Sequence, residues 1–343
     1  MIRSRVAWVL AALLSVLPAI GLARAQSSQP VKAVLEDRFT VETPGGTGII
    51  PIWTSQDWSS PRPLVTRAVI VVHGLSRVAD QYAGHLRQAR ARAAVPEATT
   101  LLIAPQFLAG PDIAEHGLAP GHLRWRPHDW PEGAPALGPA PLSSFDVLDA
   151  LLRHLADRSR FPALRHVVVA GHSAGGQLTQ RYAIVGRGEA SLAASGIALR
   201  HVIANPSSWL WFGNDRPDPA EPGACPGFNH WRYGPVNPPP YVREDVATLE
   251  KRYLAREAVY LLGEADRDPA DTSLDRSCAA MTQGPNRFAR GMQFLFNLEL
   301  RQPNQVYHRL FIIPGVGHDG GRMLASRCGL AALFDTAGCV GLP

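Results

Sequence analysis

The chain has 343 residues, of which 46% are hydrophobic and 18% are charged, and its formal net charge is +5 at pH 7. This composition excludes an intrinsically disordered chain and provides enough apolar residues for the core of one large domain. Without the three arginines at positions 3, 5 and 24 the net charge falls from +5 to +2, so the charge gives no indication of nucleic-acid binding.

The first 25 residues have the layout of a cleavable export signal. Arg3 and Arg5 precede an apolar run over residues 6–22, and Ala23, Arg24 and Ala25 supply a site of the small-x-small type. The alternative is a membrane anchor, but the run is short and contains Pro18. We therefore expect residues 1–25 to be a signal peptide and residues 26–343 to form a secreted or periplasmic protein with no stable membrane insertion.

After residue 26, short β-branched runs alternate with segments that can form helices. A leading antiparallel hairpin is predicted over 38–41 and 49–53. Six further strands are predicted at 68–72, 100–104, 166–170, 200–204, 258–262 and 308–313. Helices are predicted at 81–94, 144–157, 174–185, 245–256, 285–300 and 322–334. Continuous apolar strands between helices predict an α/β class, with a doubly wound, mostly parallel sheet of about eight strands and helices on both faces.

Two stretches interrupt this alternation and are predicted to be lid-like insertions, at about 105–142 and 205–257. They combine many prolines with aromatic residues, and irregular insertions beside a sheet edge often shape a substrate pocket. The substrate-binding candidates are Trp125, Trp209, Trp211 and Arg124. The alternative is that these aromatics only pack the insertions. Arginines interleaved with them could receive a carboxylate-bearing substrate, unless they are merely solvated: Arg124, Arg126, Arg216 and Arg232.

The four cysteines are even in number in a chain that we expect to be exported, which predicts two disulfides. Three connectivities are open, and we favour Cys225–Cys278 and Cys328–Cys339. No CxxC spacing indicates a zinc or redox site. We therefore expect no metal.

The most specific motif is a sharp strand-to-helix turn at residues 171–175, GHSAG. Glycines flank Ser173 because a Cβ on either side would collide with the turn, and the following helix directs its free N–H groups and positive dipole end at the serine. Ser173 is therefore predicted to be a nucleophile, and the N–H of Ala174 is predicted to bind an oxyanion.

A serine nucleophile needs a general base and an orienting carboxylate. His318 follows the last predicted strand in a glycine-lined loop, and Asp266 follows the strand before it. Asp268 and Asp271 are the alternative carboxylates. Other histidines, such as His73 and His172, are expected to be structural.

The chain order Ser173, Asp266, His318, with a strand before each, resembles the α/β-hydrolase fold family over nearly the whole of residues 26–343, as an exported, esterase-like branch. The resemblance implies a second oxyanion donor in the loop after the third strand, the N–H of Leu75, with Gly74 as the alternative. The sequence departs from the lipase pattern because no glycine run follows His73 and Gly74. That departure argues against esters of bulky tertiary alcohols.

A rival motif overlaps the His318 loop, since residues 315–320 also read GxGxxG. A dinucleotide site needs a second parallel strand after the next helix, and the chain has little room for one.

The sequence therefore predicts a serine hydrolase that cleaves carboxylic esters without a cofactor, and amides remain a possible second class of substrate. The alternatives are a hydrolase of an acidic polyamide or polyester, and a non-catalytic binding protein on a hydrolase scaffold. Small-molecule or polymer substrates are the expected partners.

Overall fold

A computed structural model describes residues 28–218, 223–303 and 307–339. The predicted signal peptide, residues 1–25, lies outside the described residues. Within the described ranges, no helix has the length and apolar character needed to cross a membrane.

The core of the fold is one eight-stranded sheet. Its strands are β1 (Asp37–Thr43), β2 (Gly46–Thr54), β3 (Arg67–Val72), β4 (Thr100–Pro105), β7 (His166–His172), β8 (Ala198–Ala204), β9 (Glu257–Gly263) and β10 (His308–Ile313). Their order is β1-β2-β4-β3-β7-β8-β9-β10. The β1–β2 hairpin pairs antiparallel, as does β2 with β4, and all other neighbours are parallel. The predicted doubly wound, mostly parallel sheet is confirmed.

Both faces of the central strands are buried, which explains why β3, β4 and β7 are almost continuously apolar. Along β3, Ile70 and Val72 belong to the hydrophobic cluster on one face, whereas Val69 and Val71 belong to the cluster on the other. Successive side chains of a strand point to opposite faces, so each residue of β3 contributes to one layer of core or the other.

Helices cover both faces of the sheet. The longer helices are α1 (Ala79–Arg92), α3 (Ser144–Leu155), α4 (Ala174–Val185), α6 (Val246–Ala255), α8 (Arg287–Arg301) and α10 (Arg327–Phe334). The shorter ones are α2 (Gly110–Glu115), α5 (Glu189–Ala194), α7 (Cys278–Met281) and α9 (Gly320–Leu324). The single helix predicted at 322–334 is wrong, because the chain forms α9 and α10 there. Ser326 separates them: its hydroxyl accepts from the Gly329 N–H and caps α10.

The stretches predicted as irregular insertions contain some regular structure. In the first, β5 (Leu108–Ala109) pairs in parallel with β6 (Arg124–Trp125), and Trp130 stacks on Phe107 with ring centroids 5.3 Å apart. The second runs from Asn205 through loops into α6. Aromatic packing and short pairings therefore order both stretches.

The four cysteines lie in two pairs at disulfide distance. The Cα atoms of Cys225 and Cys278 are 5.8 Å apart, and those of Cys328 and Cys339 are 4.8 Å apart. This fits the connectivity favoured from the sequence. The first bridge ties a loop of the second insertion to α7, and the second closes the loop after α10.

We predict that the Cys225–Cys278 bridge stabilises the protein more than the Cys328–Cys339 bridge. The bridges span 53 and 11 residues of sequence respectively, and loop-closure entropy favours the longer loop by about 1.4 kcal/mol. Replacing both cysteines of each pair by serine, and measuring melting temperatures, should give the lower value for the Cys225/Cys278 variant. The reverse order, or two unchanged melting temperatures, would contradict this prediction.

Acid should destabilise the fold through its buried histidines. His201 on β8 is fully buried, and neither ring nitrogen has a hydrogen-bond partner among the described residues. Burial, with the nearby charge of Arg256, lowers the pKa of His201 to about 3. The unfolded chain therefore binds a proton at this histidine near pH 6.5 and the folded chain does not, so stability is lost as the pH falls from about 6.5 towards 3.

Replacing the buried imidazole by an apolar side chain should weaken this pH dependence. We expect His201→Leu to lose about 2 kcal/mol less unfolding free energy than the wild type between pH 7 and pH 4.5. Urea denaturation at the two pH values measures both losses. Equal losses of unfolding free energy in the two proteins would show that protonation of His201 does not cause the acid destabilisation.

Candidate active site

The serine turn lies between β7 and α4 and has the strained geometry that its spacing predicts. Ser173 has φ 59° and ψ −121°, a left-handed region that costs free energy for a residue with a side chain. A Cβ on Gly171 would lie 2.1 Å from the carbonyl oxygen of Gly175, and one on Gly175 would lie 2.2 Å from that of Val72. Only glycine fits at either position.

The three side chains predicted to act together form one hydrogen-bonded chain. The Ser173 Oγ lies 2.9 Å from Nε2 of His318, and Nδ1 of His318 lies 2.8 Å from Oδ2 of Asp266. They come from the carboxyl ends of β7, β10 and β9, which meet at one edge of the parallel sheet. Ser173 is half-buried, and the Asp266 carboxylate is buried.

The two alternative carboxylates lie elsewhere. Asp268 accepts from the Ala270 N–H within its own turn. Asp271 accepts from Ser273 and from the Arg287 guanidinium. Although partial burial alone would raise the pKa of Asp271, these donors lower it to about 2. Asp266 is therefore the carboxylate that contacts His318.

Asn205, which the sequence analysis did not identify, holds the Asp266 turn against the His318 loop. It follows β8 directly, is fully buried and has φ 42°. Its Oδ1 accepts from the Gly263 N–H at 2.8 Å, and its Nδ2 donates to the Gly317 carbonyl at 3.2 Å. One amide side chain thereby joins the end of β9 to the residue directly before His318. The sequence feature that could have identified Asn205 is its position directly after a predicted strand.

Arg287, at the start of α8, was also missed. Its guanidinium is fully buried and donates through Nη1 to the second carboxylate oxygen of Asp266 at 3.3 Å. The same group donates through Nε to the Ser207 hydroxyl at 2.9 Å and through Nη2 to the Ser273 hydroxyl at 2.7 Å. Both oxygens of the Asp266 carboxylate are thus hydrogen-bonded, one to His318 and one to Arg287.

A second imidazole packs against His318. The rings of His172 and His318 are 4.6 Å apart, and the Tyr82 hydroxyl lies 3.0 Å from Nδ1 of His172. Burial, together with the proximity of His318, lowers the pKa of His172 well below its ordinary value. His172 is therefore an uncharged ring that packs against His318 and limits the movement of its imidazole.

The predicted oxyanion donors lie on two sides of Ser173. Ala174 is the first residue of α4, while Gly74 and Leu75 lie in the loop after β3, where a Cβ on Gly74 would be 3.8 Å from that of Ser173. His73 holds this loop: its Nδ1–H donates to the Gly74 carbonyl at 2.8 Å, and its Nε2 accepts from the Phe107 N–H at 2.9 Å. Burial lowers the pKa of His73 to about 4, so its ring stays neutral.

The residues predicted to bind substrate are mostly inside the protein. Trp125, Trp209 and Trp211 are between 0% and 2% exposed. Trp125 donates to the Ala134 carbonyl, and Trp209 stacks on Phe294. Most of their aromatic surface is taken up by core packing, and Trp211 also lines a small cavity together with Leu210 and Phe212.

The interleaved arginines are also mostly committed to the protein's own contacts. Arg216 lies over the Trp211 ring and donates to main-chain carbonyls. Arg232 is paired with Asp275, and Arg126 with Asp129. Arg124 is half-buried, with its guanidinium beside Gly138.

The glycines that gave the rival dinucleotide motif surround His318. The loop leads into the five-residue helix α9, and Gly320 leaves room for a neighbouring ring, because a Cβ there would lie 3.0 Å from Nδ1 of His172. Within the described parts of the chain, no group of three or more His, Cys, Asp or Glu side chains could hold a metal ion.

No family model and no curated protein matches this sequence, but solved structures match its fold. A poly(3-hydroxybutyrate) depolymerase from Bordetella parapertussis is 20% identical with a TM-score of 0.59, and the match covers 84% of each chain. The chain has the α/β-hydrolase fold. A poly(aspartic acid) hydrolase-1 from Sphingomonas sp. KT-1 is 20% identical with a TM-score of 0.58, covering 89% of this chain and 99% of that chain. At this identity the likeness establishes the α/β-hydrolase fold and leaves substrate open.

Proposed function

We propose that the protein is an exported serine hydrolase that cleaves carboxylic ester bonds through Ser173, His318 and Asp266. The observation that carries the proposal is the pair of hydrogen bonds of 2.9 Å and 2.8 Å that joins Ser173 to His318 and His318 to Asp266. Base and nucleophile within hydrogen-bond reach, with the base oriented by a carboxylate, are what acyl transfer to a serine requires.

In the proposed reaction, Ser173 Oγ attacks the ester carbonyl while Nε2 of His318 takes the hydroxyl proton. The imidazolium then returns this proton to the leaving alcohol, and the acyl group stays on Ser173. Asp266 keeps Nδ1 of His318 protonated and stabilises the imidazolium. Water, activated by His318 in the same way, releases the acid. This chemistry requires no metal or organic cofactor.

The negative charge that develops on the carbonyl oxygen needs preorganised donors. We assign this role to the N–H groups of Ala174 and Leu75, with Gly74 as the alternative to Leu75. Ala174 opens α4, whose first N–H groups have no partner within the helix and whose dipole favours negative charge. The hydrogen bond from His73 to the Gly74 carbonyl supports a fixed position for the loop that contains Leu75.

Export and substrate class are parts of the same proposal. Residues 1–25 read as a signal peptide, and two cysteine pairs at disulfide distance fit an oxidising compartment. One structural neighbour is named for a polyester and the other for a polyamide. We therefore propose, as a second candidate, that the substrate is a polymer with ester or amide links.

The first prediction for this proposal is that a fluorophosphonate modifies Ser173 alone. Peptide mass spectrometry of the protein without residues 1–25 should show one adduct, and labelling should parallel the loss of hydrolysis across a panel of esters. Ser173→Ala should abolish labelling and reduce turnover by at least about a thousandfold. A folded, disulfide-bonded protein that neither reacts nor hydrolyses any ester or amide would favour the non-catalytic binding protein.

Arg287 has a positioning role in the proposed mechanism. Its guanidinium holds the second oxygen of the Asp266 carboxylate and, through Ser207 and Ser273, connects that carboxylate to two loops. Without this contact the carboxylate could turn away from His318. Misorientation of the base lowers the rate of the chemical step and leaves substrate binding largely intact.

We therefore expect Arg287→Met to lower kcat at least about tenfold with little change in KM, and Arg287→Lys to restore part of the rate. The matched control is Arg290→Met, since Arg290 is equally buried on α8 but donates to the carbonyls of Gly284, Ser207 and Asp275. Both methionine variants should be less stable, but only Arg287→Met should lose kcat per folded molecule. Equal kcat losses in both would refute a specific role for Arg287.

A further inference from the structure

A groove of about 330 Å³ lies beside the loop that carries His318. Its floor is apolar and includes Pro314 and Val316 from that loop and Cys328 from α10. Its polar lining is dominated by three arginines: Arg92 at the end of α1, Arg322 on α9 and Arg327 at the start of α10. Nothing in the proposed mechanism uses this groove.

The three guanidinium groups are available to a ligand. All three residues are exposed, and no carboxylate of the described residues forms an ion pair with any of them. Arg322 donates to the Gly315 carbonyl at 3.1 Å and Arg327 to the Gly338 carbonyl at 3.5 Å. Since each guanidinium carries five N–H donors, most of the donors remain for an anion.

The groove also shares the loop that carries His318, because Pro314 and Val316 line it. Val316 precedes His318 by two residues, so their Cα atoms are at most about 7 Å apart. The Val316 carbonyl accepts from the Ala265 N–H at 2.9 Å, one residue before Asp266. A chain lying in the groove would therefore contact the loop that carries the proposed general base.

We propose that this groove binds a polymer bearing several carboxylates, as a subsite that holds an acidic polyester or polyamide against the loop that carries His318. That the bound polymer is then cleaved rests on the proposed hydrolase function. Binding of the polymer requires only the groove. Three positive groups supplied by three different helices match a ligand with repeated charges better than one with a single carboxylate, and the apolar floor suits the polymer backbone between charges.

The test is a binding measurement on the Ser173→Ala protein, which cannot turn the polymer over. Fluorescence anisotropy with a labelled, short poly(aspartic acid) should show binding that weakens in about 0.5 M NaCl. The uncharged hydroxyethyl amide of the same polymer should not bind. Decanoate, which has one carboxylate and an apolar chain, should compete only weakly.

The variant that tests the groove is Arg92→Gln/Arg322→Gln/Arg327→Gln. We expect its Kd for poly(aspartic acid) to rise at least about tenfold, with an unchanged melting temperature. The matched control removes the same charge from exposed arginines that form no ion pair with a described residue and do not line the groove: Arg165→Gln/Arg243→Gln/Arg276→Gln. The control should raise Kd less than about twofold.

Equal losses of affinity in the two triple variants would overturn the proposal, because binding would then follow total charge. No binding to the Ser173→Ala protein, or decanoate binding as tightly as the polymer, would also overturn it.

Failure of the groove is distinguishable from failure of the hydrolase. With Ser173 intact, the variant Arg92→Gln/Arg327→Gln, which keeps the contact of Arg322 with Gly315 in the His318 loop, should hydrolyse a small uncharged ester as fast as the wild type. Hydrolysis of that ester, together with equal affinity losses in the two triple variants, would refute the proposed groove and support the proposed enzyme. A loss of affinity specific to the groove variant, in a protein that hydrolyses nothing, would refute the proposed enzyme and support the groove.

Discussion

The sheet edge that carries Ser173 depends on the hydrogen bonds of one buried carboxylate, that of Asp266. A desolvated carboxylate is costly unless both of its oxygens are paired. Here one oxygen contacts His318 and the other contacts Arg287. Because Arg287 also binds Ser207 and Ser273, the carboxylate links β9, α8, the start of the second insertion and the His318 loop. These segments must therefore fold together for any one of them to be in place.

The serine turn imposes a second constraint that acts on the backbone. The close approach of Gly175 to the carbonyl of Val72 places α4 directly over the end of β3, so the loop containing Gly74 and Leu75 cannot be far from Ser173. The left-handed conformation of Ser173 is held by strand pairing on one side and by helix packing on the other. Strain at one residue is tolerated because the surrounding sheet determines its position.

These two constraints differ in how well a sequence reveals them. Features encoded by neighbouring residues were predictable: strands buried on both faces read as apolar runs, and the glycine spacing around Ser173 marks the turn. Asn205 and Arg287 were not, since Asn205 acts on Gly263 and Arg287 on Ser207, 58 and 80 residues away. The burial of the tryptophans was also not predictable, because an aromatic residue in a Pro-rich stretch has no periodicity to show which side faces the core.

The arginines of this structure fall into two groups, those that bind main-chain carbonyls in the interior and those that are exposed. The insertions have few helices and strands, so many of their main-chain carbonyls need other donors. Buried arginines supply them: Arg181 donates to Pro131, Arg216 to Tyr233, and Arg290 to Ser207. Around α1, α9 and α10, by contrast, Arg92, Arg322 and Arg327 are exposed and form no ion pair with a described residue. Other exposed arginines, such as Arg243 in the second insertion, also lack an ion pair with a described residue, so the grouping of Arg92, Arg322 and Arg327 around one groove is what favours anion binding there.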